Sequence, residues 1–119
     1  MKTLEKWHDI TEYRGYKFNG KYEVSNWGNV RNKETKQPIS TFESRKNHGY
    51  LKTRITDVNQ VRRTMYIHQL VAFFFVEGFD QNKEVNHKDG NIRNNSFSNL
   101  EWVSHTENMK HFYSNCKEA

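Results

Sequence analysis

The chain has 119 residues, 34% of them hydrophobic and 14% aromatic, with a single cysteine. That length supports one domain with a modest core, the aromatic content argues against disorder, and the lone Cys116 excludes a disulfide framework or a multi-cysteine zinc ribbon. The net charge of +5 is segregated: positions 30–63 carry nine Lys and Arg against three acids, while the remainder has ten bases and eleven acids, as suits a surface that tracks phosphates.

In chain order, the first half reads as β-strands. Tyr22-Glu23-Val24-Ser25 alternates apolar and polar residues and leads into the turn-like Asn26-Trp27-Gly28-Asn29, then Val30-Arg31. In "YLKTRIT", after Gly49, Leu51, Thr53 and Ile55 share one face, and Lys52 and Arg54 lie on the other with Tyr50. Residues Asp57 to Gln60 turn the chain back into "VRRTMYI". The expectation is a hairpin with one buried face and one basic face, able to lie along a DNA groove. His68 to Phe79 leaves little polar surface, so a short buried helix ended at Gly78 is expected; a buried strand is the alternative, because periodicity does not separate the two.

Glu84 to His87 reads as a strand, followed by an asparagine-rich loop and a second strand, Leu100 to Ser104. Ser104 and Glu107 then form an S-x-x-E capping box at the start of a helix, with Met109 and Phe112 as its apolar stripe. A functional boundary is expected near residue 60, with a β-rich DNA-binding region over 1–60 and a second region over 61–119, packed as one unit.

The segments "VNHKDGNIRNN", "NLEW" and "HTEN" resemble the HNH endonucleases, in the phage and intron-encoded branch, where "YIHQLVAFFF" also has a counterpart. The earlier "YEVSNWGNVR", with Trp7 and Ile10 before it, resembles a modular DNA-binding motif often fused to such nucleases. The resemblance implies an α+β fold in which an antiparallel β-rich part precedes a ββα-metal (His-Me finger) nuclease core. It further implies a metal-dependent DNA endonuclease of phage or mobile-element origin, acting on double-stranded DNA inside a bacterial or phage-infected cell.

Phosphodiester cleavage needs an activated water and charge stabilisation at phosphorus. A neutral imidazole is a suitable base near neutral pH, and a hard cation held by oxygens suits the phosphate. His87 is the expected general base, and Asn86 and Asn108 are the expected ligands of one divalent cation, Mg²⁺ with Mn²⁺ as substitute. Neighbouring strand residues face opposite ways, so Asn86 and His87 can serve one site only if the strand ends or bends there, as Asp89-Gly90 would allow. By resemblance, Asn95 pins the two strands together, with Asn94 as rival; Asn94 and Asn99 otherwise hold the loop. Asp89 is either a turn former or a further ligand. His68 could touch a phosphate or the site, and His105 and His111 could stand behind the ligands. Arg31, Lys52, Arg54, Arg62 and Arg63 are the expected DNA contacts.

Structural zinc is not expected, because no histidines show the paired spacing of a finger. No membrane partner is expected either: there is no signal peptide, and no apolar run approaches the ~20 residues of a span. Long-site specificity would rest on the N-terminal half, since little chain follows the last helix. A monomer would nick; a homodimer could cut both strands. Two rivals are a DNA-binding protein with a vestigial site and a phage structural or assembly protein.

Overall fold

The computed structural model describes residues 4–45 and 49–110, so the expectations for His111, Phe112 and Cys116 lie outside the described residues. The fold is α+β, with a β-rich N-terminal part ahead of a β–β–helix unit.

Strands β1 (Trp7–Asp9), β4 (Tyr22–Ser25) and β5 (Val30–Asn32) form an antiparallel sheet in the order β1-β4-β5. A small hairpin, β2 (Glu12–Tyr13) with β3 (Tyr16–Lys17), lies between β1 and β4 in the chain. The next sheet runs β6 (Thr41–Glu43), β7 (Leu51–Thr56), β8 (Arg62–Tyr66). The expected hairpin is its β7–β8 pair, and Thr53 and Ile55 are almost fully buried, whereas Arg54 is exposed. The Asp57 carboxylate builds the turn: Oδ1 accepts from the N–H groups of Asn59 and Val61, and Oδ2 from Arg63 Nε. The boundary expected near residue 60 falls inside this hairpin.

The apolar run forms helix α1, Ile67–Phe75, which settles the helix-or-strand alternative. It stops short of Gly78, because Val76 is already extended, with its N–H still bonded to the Ala72 carbonyl. Trp102 Nε1 donates to the carbonyl of Val76, an acceptor that the helix end leaves open, and shares its proton with the Ala72 carbonyl. Ile67, Leu70, Val71 and Ala72 pack in one core with Ile10, Phe18, Val24, Val30, Ile55 and Leu100. Both halves of the chain therefore share one apolar interior, so the N-terminal strands are fixed relative to the later elements.

β9 (Glu84–His87) and β10 (Leu100–Val103) pair antiparallel, Leu100 opposite His87. A 3₁₀ turn, Phe97–Asn99, feeds β10. Residues 105–110 are helical, and the Ser104 hydroxyl accepts from the Glu107 N–H, which is the first half of the expected capping box. Met109 is exposed rather than part of a buried stripe. No helix among the described residues is long and apolar enough to cross a membrane.

Candidate functional site

The chain bends where β9 ends. His87 is the last strand residue, and its carbonyl accepts from the Gly90 N–H, closing a turn whose left-handed position (φ 76°) is taken by glycine. The strand both ends and bends here, and either was the expected requirement for Asn86 and His87 to serve one site. Both are buried.

Asn99 locks the loop. Its carbonyl accepts from Lys88 N–H and its Oδ1 from Asp89 N–H, while its Nδ2 donates to Asp89 Oδ1 and to the Asn94 carbonyl. Asn94 Nδ2 donates to Asp89 Oδ2, and Asn91 N–H to Asp89 Oδ1. These bonds hold the Asp89 carboxyl below its ordinary range, the Asn94 contact most of all, and both its oxygens are spent on the loop. The loop is thus closed on itself by Asn99, which sits just before Leu100 at the start of β10. Asn95 reaches the end of β9 from the loop: its Oδ1 lies 2.8 Å from His87 Nε2, in a buried contact.

The His87 ring lies in an aromatic nest. It stacks on Tyr50 at 5.8 Å and lies 5.1 Å from the His68 ring, which is 4.8 Å from Tyr50. Burial lowers the His87 pKa from its ordinary value, and Asn95 and then Asp89 pull it partly back. Burial, and then the neighbouring His87, push the pKa of His68 down to about 3, so that ring is neutral near neutral pH. His68 Nδ1 is buried without a hydrogen-bond partner. Tyr50 carried no signal in the sequence that would mark it as a neighbour of His87; it arrives from the residue just before β7.

A cleft of about 410 Å³ opens beside this nest, lined among others by Tyr50, Tyr66, His68, Glu84 and Asn108. Asn86 and His87 are not among its walls, although two rings that pack on His87 are. Asn108 Nδ2 donates to Glu84 Oε2 at 2.6 Å, and His105 Nδ1 lies 2.7 Å from Glu84 Oε1. Glu84 was not singled out from the sequence. Its pKa is lowered, chiefly by the bond from Asn108 and then by His105. Among the described residues no three His, Cys, Asp or Glu side chains cluster as metal ligands. The oxygens on offer are amide oxygens, and Asn86 shares a β9 face with Glu84.

The expected DNA contacts separate by their partners. Arg31 Nε is committed to the buried Glu23 at 2.6 Å, and its guanidinium lies over Trp7. Arg63 Nε is committed to the buried Asp57, over the Tyr16 ring. Lys52 and Arg54 project from the open face of β7 around the Phe42 ring, and Arg62 is exposed at the start of β8. Lys52 pairs across the ladder with Tyr66, which lines the cleft, so the basic face runs up to the site.

Comparisons with known proteins bear on the family and the fold. A family model described as HNH endonuclease matches residues 66–110, and one described as the NUMOD4 motif matches residues 5–64. An uncharacterised HNH endonuclease of Acanthamoeba polyphaga mimivirus is 35% identical over 106 residues, covering 89% of this chain and 31% of that protein. DNA endonuclease I-HmuI of Bacillus phage SP01 is 32% identical over 105 residues, covering 88% and 56%. A solved structure concerned with DNA binding and cleavage by the HNH homing endonuclease I-HmuI superposes with a TM-score of 0.78 at 33% identity, covering 92% of this chain and 59% of that one. The chain spans less than two thirds of the length of each of these relatives.

Proposed function

This chain belongs to the HNH endonuclease family, with a NUMOD4 motif ahead of its HNH region, and from that premise we propose that it is a divalent-metal-dependent DNA endonuclease with His87 as general base. The observation that carries the role of His87 is its bond to Asn95. An amide oxygen only accepts, so Nε2 must hold the ring proton and Nδ1 must hold the lone pair. Burial favours the neutral ring, which is the form that takes a proton from water. Tyr50 and His68 pack against the ring and restrict its rotation.

The residues present fit a hard cation, which prefers oxygen ligands. Asn86 and Asn108 would hold it through Oδ1; the Asn108 nitrogen is already taken by Glu84. When bound, the cation would stabilise charge on the phosphate and on the departing oxygen. Two neutral amides hold a cation weakly, so the DNA phosphate brings most of the anionic ligation. Lys52, Arg54 and Arg62 would place the DNA backbone against the cleft. The natural outcome for one site is a nick, and action inside a bacterial or phage-infected cell rests on the Bacillus phage relative, since the mimivirus relative comes from a virus of an amoeba.

Incubation of supercoiled plasmid with Mg²⁺ or Mn²⁺ tests the reading. Wild type should give nicked circles. The His87→Ala variant should keep DNA affinity and lose roughly 10²- to 10⁴-fold in rate. DNA binding without any cleavage by wild type would instead support a vestigial site.

A further inference from the structure

Glu84 opens β9 and lies two residues before Asn86, on the same face of the strand. Its carboxylate is gripped by two side chains of the following helical segment, Asn108 through Nδ2 at 2.6 Å and His105 through Nδ1 at 2.7 Å. Those two residues are three apart, one helical turn, so they present neighbouring side chains to one partner. The grip spans 24 and 21 residues of sequence and joins the first strand of the unit to its helix.

The chemistry of the pair is directional. An ionised carboxylate only accepts hydrogen bonds. It can bond the nitrogen of the Asn108 amide but not the oxygen, so the orientation of that amide is no longer free. With Nδ2 on Glu84, Oδ1 is turned away from the carboxylate, and Asn108 and Glu84 both line the cleft. Each oxygen of Glu84 already has a partner, Oε1 in His105 and Oε2 in Asn108.

We propose that Glu84 is a positioning residue: its carboxylate fixes the Asn108 amide with Oδ1 free for a cation and clamps the helix to β9. This rests on the reading of Asn108 as a metal ligand. Glutamine at this position would be nearly the same size but would offer both a donor and an acceptor, so it would hold the amide in either orientation. Aspartate would keep the acceptor-only chemistry on a shorter arm.

The test uses the full chain as wild type, Glu84→Gln, Glu84→Asp and Asn108→Ala. In metal-free protein, the Asn108 side-chain amide protons are followed by ¹H–¹⁵N NMR, with Asn108→Ala giving the assignment. One of them should be displaced downfield in wild type and return toward the free-amide position in Glu84→Gln. Calorimetric titration of Mn²⁺ in the presence of DNA should show affinity about 10- to 100-fold weaker in Glu84→Gln, as for other groups that orient a metal ligand. DNA affinity without metal should not change. If Glu84→Gln fails to fold, Glu84→Asp carries the test, because it should keep the downfield proton. An unmoved Asn108 resonance in Glu84→Gln overturns the proposal. So does loss of Mn²⁺ affinity in Asn108→Ala but not in Glu84→Gln. Failure of the ligand reading looks different: Asn108→Ala would then bind Mn²⁺ as wild type does, while the resonance still moves in Glu84→Gln and the clamp stands.

Discussion

Asn95 Oδ1 stands 2.8 Å from His87 Nε2, and because an amide oxygen only accepts, that contact puts the proton of the neutral ring on Nε2. Removing it should not remove the histidine but should let the ring rotate and change tautomer. The Asn95→Ala variant is expected to cleave about 10²-fold more slowly, the scale of a small misplacement of a reacting group, with DNA affinity unchanged. Single-turnover cleavage on a labelled duplex measures the first quantity, and a binding isotherm without metal the second. An Asn95→Ala rate equal to wild type would mean that packing by Tyr50 and His68 alone orients the ring.

The pH dependence of cleavage follows from the same ring. His87 must be neutral to accept a proton, and burial lowers its pKa from 6.5. The rate should therefore rise with pH through a midpoint below 6.5 and be level above it. Asp89 favours the protonated ring, so Asp89→Asn should move the midpoint further toward acid. A profile of kcat/KM against pH at constant ionic strength would reveal an acid limb centred at or above 6.5 if this account is wrong.

Stability should also depend on pH, through His68. Its folded pKa of about 3 lies below the ordinary 6.5, so between these values the unfolded chain binds a proton that the folded chain does not. Stability is then complete above 6.5 and falls as pH drops through that value, levelling only near 3. One such group costs about 2 kcal/mol on going from pH 7.5 to pH 5. His87 adds in the same direction. The carboxylates with lowered pKa, Asp57, Glu84 and Asp89, lose their contributions only below their ordinary values, so they do not confuse this window. Urea denaturation at the two pH values should show the loss in wild type and a smaller one in His68→Phe.

The β–loop–β–helix unit was legible because its signals are local. Asp89-Gly90 marks the turn, Ser104 the helix start, and the asparagines a loop bound to its own backbone. Glu84 was not legible, since a glutamate at a strand start looks like any other until a partner 24 residues away closes on it. Tyr50 and His68 meet His87 only through tertiary packing. The ion pairs of Arg31 and Arg63 were not legible either, because charge counts do not reveal a buried Glu23 or Asp57 beside them. The strands β1, β2, β3 and β6 are two or three residues long, too short to show any period.

Those partners divide the basic residues by behaviour. Lys52→Ala and Arg54→Ala should each lower the slope of log affinity against log salt by about 0.9, the value of one lost phosphate contact on duplex DNA. Arg63→Ala should leave the slope nearly unchanged and lower the melting temperature, because it strips the partner from Asp57, which is only 3% exposed. Titrations at several salt concentrations, paired with melting curves, separate the two groups. An equal slope change for all three would place Arg63 on the DNA as well.

Gly28, in the N-terminal motif, packs directly against the loop that carries Asn95. Gly28 has φ 94°, where a side chain is strained, and a Cβ there would stand 3.0 Å from Asn95 Cβ and 3.4 Å from the Asn95 carbonyl oxygen. Beside it, the Asn26 carbonyl accepts from the Phe97 N–H at 2.8 Å. The turn that begins with Asn26 thus braces the loop residue that holds His87, and it does so without touching the cleft. Gly28→Ala should cost roughly 1 kcal/mol or more in stability, as expected for a side chain at positive φ. It should also slow cleavage, because Asn95 must yield to the added methyl group. DNA affinity should be preserved, since Lys52 and Arg54 lie on another sheet. The decisive comparison is Gly28→Ala against Gly15→Ala, a second left-handed glycine with nothing within 4 Å of its Cβ position. Both should lose stability, but only Gly28→Ala should lose turnover at a temperature where both are folded. Equal turnover in the two would mean that the Gly28 turn does not govern how Asn95 holds His87.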